Sequence, residues 1–138
     1  MSSIYVLDAC AMLAVLSKEQ GSENVVRFYK KAALGEITLI MNKINLLEVY
    51  YDIYRAYGKE QADSFIDDIK LSPIVINPEI TDKIFEQAGY FKASYKISLA
   101  DSIALAQTVI SKAALITCDH HEFDVIENKE NIKFAWIR

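Results

Sequence analysis

Four carboxylates far apart in the chain, Asp8, Glu48, Asp101 and Asp119, are the residues best placed to do chemistry together. Asp8 directly follows the apolar run Ile4-Tyr5-Val6-Leu7, and Asp119 directly follows Ala113-Ala114-Leu115-Ile116-Thr117-Cys118. Glu48 lies early in a helical segment that follows Ile37-Thr38-Leu39-Ile40-Met41, and Asp101 falls in the first turn of a segment opening at Ser98. Acids brought close together raise one another's pKa. A hard divalent cation, which prefers oxygen ligands, relieves that repulsion. One or two Mg2+ ions held in this way can activate water and neutralise charge developing on a phosphodiester, so the chemistry these acids predict is metal-dependent phosphoryl hydrolysis.

Each acid also has an ordinary structural role open to it. Asp101 with Ser98 fits a helix capping box, and Glu48 shares a polar helix face with Asp52 and Arg55. Asp119 fits a turn. Asp8 is harder to assign to structure alone, because more apolar residues follow it, and a charge in such surroundings is rarely left without a partner.

The elements around these acids supply the reason to group them. Short β-rich apolar runs predict strands at Ile4–Leu7, Ile37–Met41, Pro73–Pro78, Ala113–Cys118 and Lys133–Ile137. Helical segments are predicted from Ala11 to Leu16, from Ser22 towards Gly35, from Lys43 to Tyr57 and around Ala62–Ile69. Two more run from Ile80 to Tyr95 and from Ser98 to Ser111. Within Lys43–Tyr57 the residues Leu46, Val49, Tyr50, Ile53 and Tyr57 share one face. Strands alternating with helices imply an α/β/α three-layer sandwich around a mostly parallel sheet of about five strands. Ligands of such a sheet bind beyond the carboxyl ends of its strands, where the following helices begin. The four acids are therefore predicted to meet on one edge.

Composition sets the limits. With 138 residues, the chain is read as a single domain spanning 1–138. A hydrophobic fraction of 52% excludes intrinsic disorder, and four Gly with two Pro exclude a low-complexity tail. No apolar run approaches the roughly 20 residues of a membrane span. The start, Met1-Ser2-Ser3-Ile4-Tyr5-Val6-Leu7-Asp8, has no basic n-region, so a cytoplasmic location without membrane attachment is expected. A net charge of -4 argues against binding nucleic acid through bulk charge, but not through bound cations and local lysines.

In four stretches the chain resembles a PIN domain, the nuclease fold of VapC-like toxins of bacterial and archaeal toxin–antitoxin pairs. These are Val6-Leu7-Asp8-Ala9-Cys10-Ala11, Asn45-Leu46-Leu47-Glu48-Val49, Ser98-Leu99-Ala100-Asp101-Ser102-Ile103-Ala104-Leu105-Ala106 and Ile116-Thr117-Cys118-Asp119-His120-His121-Glu122-Phe123. The resemblance implies an Mg2+- or Mn2+-dependent endoribonuclease with RNA as substrate. It implies Asp8 and Asp101 as principal metal ligands, completed by Glu48 and Asp119, with all four acids catalytic. It further implies a homodimer and a cognate antitoxin whose tail occupies the groove beside the site. Cys10 stands where the family frequently has Ser, Thr or Asn. Phe123 comes one residue later than the commonest spacing, which makes Glu122 an additional candidate ligand.

The remaining candidates have simpler readings. Cys10 and Cys118 are too few for a disulfide framework; they are expected to stay reduced and pack as small buried residues. His120 and His121, without Cys or His partners at zinc spacing, are expected on a surface loop. Tyr50, Tyr51, Tyr54 and Tyr57 are expected in core packing or on a protein–protein face rather than stacking on bases. Lys30, Lys31, Lys43, Lys92 and Lys96 read as solvated. Two rivals stand beside the nuclease: a non-catalytic PIN-like module that binds nucleic acid or protein, and a Mg-dependent phosphatase of another α/β family. A haloacid-dehalogenase-like phosphatase would want an acid where Cys10 stands. A receiver domain would want a phosphoacceptor Asp where Asn77 ends its strand.

Overall fold

The computed structural model describes residues 3–138; Met1 and Ser2, the first residues of the start read above, lie outside them. Five strands form one sheet: β1 (Ser3–Leu7), β2 (Ile37–Asn42), β3 (Val75–Asn77), β4 (Ala114–Thr117) and β5 (Lys133–Trp136). Their order is β3-β2-β1-β4-β5, and every neighbouring pair is parallel. Parallel neighbours require crossover connections. Seven helices supply these: α1 (Ala9–Leu16), α2 (Ser22–Ala33), α3 (Lys43–Tyr57), α4 (Lys59–Lys70), α5 (Asp82–Ser94), α6 (Leu99–Ile110) and α7 (His120–Lys129).

Alternation along the central strands divides the core into two layers, because successive side chains of a strand point to opposite faces. Leu7 of β1 and Ile116 of β4 pack on one face with Ala11 and Met12 of α1, Val25 of α2, and Phe65 and Ile69 of α4. Val6 and Leu115 pack on the other with Phe91 of α5, Ala104 and Leu105 of α6, and Phe123 and Ile126 of α7. The result is the expected α/β/α sandwich.

Two readings of the sequence need correction here. Residues 120–129 form helix α7 rather than surface loop: Phe123 and Ile126, three apart, are fully buried and give the segment a core-facing stripe. For the α3 tyrosines, expected in core packing or on a protein–protein face, it is core packing that fails. Tyr51, Tyr54 and Tyr57 are exposed, Tyr57 by 76%, so Tyr57 does not share the buried face of Leu46 and Val49. Tyr50 leans the other way along the surface, donating its hydroxyl to Asp63 of α4 at 2.7 Å. The five lysines read as solvated are all exposed.

Candidate active site

β1 and β4 are adjacent, and each runs straight into a helix at its carboxyl end. Asp8 is the N-cap of α1, its Oδ1 accepting from the Ala11 amide at 2.8 Å. Asp119 is the N-cap of α7, accepting from the Glu122 amide at 3.1 Å, while its own amide donates to the Thr117 hydroxyl at 3.1 Å. Both acids therefore cap a helix at the carboxyl end of a strand. Ser98 caps α6, accepting from the Asp101 amide at 3.0 Å, and the Asp101 carboxylate lines the acidic pocket. Glu48, one and a half turns into α3, lines it too.

That pocket encloses about 410 Å³ and is walled by Cys10, Leu13, Glu19, Glu48, Ser98, Asp101, Asp119 and Glu122. Carboxylate oxygens of Asp101, Asp119 and Glu122 all lie within 4.8 Å of one another. Asp8 sits deeper, 1% exposed, and its charge reaches Asp101. All four predicted acids thus converge on the carboxyl edge of the sheet, and Glu122 joins them.

The electrostatics match a crowded acid cluster. Burial raises the Asp8 carboxyl to about 7; hydrogen bonding from the Thr117 hydroxyl, too loose in geometry to count as a full partner for Oδ2, and from the Ala11 amide opposes this, while Asp119 and Glu48 add to it. Burial also lifts Asp101 to about 7, helped by Asp8, Asp119, Glu48 and Glu122. Glu48 is raised by burial and then by Asp52 and Asp119. The second oxygen of Asp8, Oδ2, is buried with no hydrogen-bond partner among the described residues. An unpartnered buried carboxylate oxygen is costly. Together with an all-oxygen donor set, it fits a hard divalent cation.

Sequence reasoning passed over two features. Asn45, one turn before Glu48, is buried and donates through Nδ2 to the Ala100 carbonyl at 3.0 Å, tying α3 to the first turn of α6. A polar residue on an otherwise apolar face was the available signal. The second feature overturns an expectation: Cys10 and Cys118 are not reduced but joined in a disulfide. They stand 108 residues apart in sequence, yet adjacency of β1 and β4 brings their Cα atoms to 6.1 Å. His120 opens α7, its ring stacked on Trp136 at 3.8 Å and bonded to Asp124 and to the Arg138 carbonyl. These contacts raise its pKa, the Arg138 carbonyl most of all. A separate apolar cavity of about 340 Å³ lies between α1, α2, β2 and α4, with Asp68 its only carboxylate.

The fold has solved counterparts. It is similar to the crystal structure of VapBC2 from Rickettsia felis bound to a promoter DNA fragment, at 20% identity and TM-score 0.71, covering 96% of this chain and 98% of that one. It is similar to VapBC-1 from nontypeable Haemophilus influenzae, at 18% identity and TM-score 0.73, covering 97% and 98%. A third likeness is to VapC20 of Mycobacterium tuberculosis, a sarcin-ricin loop cleaving toxin, at 17% identity and TM-score 0.61, covering 82% and 87%. No curated protein matches the chain in sequence. The family model of the PIN domain matches residues 5–129. That match takes in β2, β3, β4, the end of β1 from Tyr5 and every acid of the pocket, and the chain belongs to the PIN domain family.

Proposed function

We propose that this chain is a divalent-metal-dependent endoribonuclease, the toxin of a toxin–antitoxin pair, with residues 1–138 acting as one nuclease unit. The observation that carries the reading is the convergence of Asp8, Glu48, Asp101, Asp119 and Glu122 at the carboxyl edge of a parallel sheet, with Asp8 Oδ2 buried and unpartnered. Family membership and the likeness to toxin structures support it. Asp8 and Asp101 hold the ion, being the most desolvated acids, and Glu48, Asp119 and Glu122 complete the set directly or through water. Mg2+ or Mn2+, when bound, supplies an activated water and neutralises charge developing on the phosphodiester.

The chain's own residues do the positioning. Helix capping fixes the Asp8 and Asp119 carboxylates at the strand ends, and the Asn45 bond holds α3 and α6 in register so that Glu48 and Asp101 share one pocket. The exposed aromatic face of α3, with Leu47, Tyr51, Tyr54 and Tyr57, is suited to a second copy of the chain. The antitoxin partner is proposed from the toxin–antitoxin complexes this fold resembles.

The test is incubation of the purified chain with structured RNA and Mg2+ or Mn2+, beside an EDTA control and Asp8→Asn. Asparagine retains the capping oxygen for the Ala11 amide, so the fold should persist. Metal-dependent cleavage that falls to the EDTA background in the variant is the expected result. RNA binding without cleavage under either metal would instead favour a non-catalytic PIN-like module.

A further inference from the structure

The Cys10–Cys118 bond joins the acidic pocket to the core beneath it: Cys10 lines the pocket, and Cys118 belongs to the apolar layer packed under α1. The β1–β4 ladder ends where the Asp8 amide donates to the Ile116 carbonyl at 3.3 Å. Beyond that point the two chain segments enter α1 and α7, and the disulfide joins them there. Cys10 is the second residue of α1, two beyond Asp8, and lines the pocket with Glu48, Asp101, Asp119 and Glu122. Cys118 immediately precedes Asp119 and is 8% exposed. The crosslink therefore couples the junction carrying Asp8 to the junction carrying Asp119 and Glu122.

We propose that Cys10 and Cys118 form a reversible thiol–disulfide switch that sets the geometry of the acids at the pocket, with a low-molecular-weight disulfide or dithiol as its redox partner. The inference rests on the proposed metal site for its consequence, but the sulfur chemistry stands apart from it. In the oxidising direction the half-exposed Cys10 thiolate attacks the small disulfide, giving a mixed disulfide and releasing one small thiol. The Cys118 thiolate then attacks Cys10 Sγ and expels the second thiol. Two protein thiols lose two electrons and two protons in all, and the small disulfide becomes two thiols. A small dithiol reverses the sequence and is itself oxidised to a cyclic disulfide. Such crosslinks persist in oxidising surroundings and act as transient sensors in reducing ones.

The direction of the effect follows from what else holds each acid. Asp8 is fixed by burial and its capping bond whether or not the sulfurs are joined. Asp119 and Glu122 lie at the entry to α7, where the crosslink adds a covalent anchor one residue away. Oxidation thus pre-organises the pocket, and reduction loosens its α7 side.

The full-length chain is equilibrated with oxidised glutathione or with dithiothreitol, desalted, and assayed by thiol titration and intact mass. Mn2+ is then titrated calorimetrically into each form, with Cys118→Ser as a permanently unlinked control. The oxidised form should have no titratable thiol, a mass lower by two hydrogens, and Mn2+ affinity about tenfold tighter, the scale on which groups orienting metal ligands act. Lacking the resolving thiol, Cys118→Ser should match the reduced wild type in Mn2+ affinity before oxidant and stop at the Cys10 mixed disulfide after it, never showing the loss of two hydrogens. Thiols that stay free in the native protein after oxidant treatment would overturn the switch. Equal Mn2+ affinity in both forms would overturn it while leaving the metal site standing. No Mn2+ binding in either form would overturn both.

Discussion

Asp8 combines three properties that rarely meet in one carboxylate: full burial, a helix-capping bond through one oxygen, and no partner for the other. Its carboxyl, raised from 3.8 to about 7 chiefly by burial, binds a proton in the folded state that the unfolded chain has already released. The stability this provides is fully present below 3.8 and is lost as pH rises through about 7. In metal-free protein above neutrality, Asp8→Asn should therefore unfold at a higher denaturant concentration than wild type, by up to on the order of 4 kcal/mol. An unchanged midpoint would show that Asp8 is not desolvated. Asp101, also raised to about 7, adds a second consequence. Both carboxyls must be ionised to ligate, so calorimetric Mn2+ affinity should climb as pH rises through roughly 6 to 8, with proton release on binding.

At the scale of elements, the site depends on helices starting where strands stop. Asp8, Ser98 and Asp119 are all N-caps that sequence chemistry favours, and they set three helix starts at the pocket. The tie between α3 and α6 is less visible. Asn45→Ala removes the bond to the Ala100 carbonyl and should cost about 1 kcal/mol. Its larger effect should be on function, with Mn2+ affinity falling about tenfold as Glu48 and Asp101 lose register. A variant that lost stability alone would make Asn45 purely structural. Most elements were legible in the sequence because their apolar periods are long and bounded by caps, Gly or Pro. Helix α7 was not, since only Phe123 and Ile126 of its ten residues are buried, and the histidine pair at its start reads as polar surface.

At the scale of the whole molecule, the order β3-β2-β1-β4-β5 places the first and fourth strands side by side and so closes the acidic edge. The same adjacency allows the crosslink between residues 108 apart. Linking the chain over so long a loop restricts the unfolded ensemble, so oxidised wild type should exceed Cys118→Ser by about 2–4 kcal/mol in chemical unfolding. Equal stabilities would mean that strain in the folded state, or residual structure in the unfolded chain, cancels the constraint.

Local residue pattern was enough to establish the alternation of strand and helix, and hence a parallel sheet with Asp8, Glu48, Asp101 and Asp119 at its carboxyl edge. Period and capping are local properties, and the rule that parallel strands carry their ligands at one edge converts them into a location. Tertiary structure alone decided that Glu122 enters the pocket, that Asp8 Oδ2 is left without a partner, that the α3 tyrosines face outward and that Cys10 meets Cys118. Each of these depends on which strands become neighbours and how a helix rolls against the sheet. Those outcomes arise from packing between distant segments, which local residue pattern does not encode.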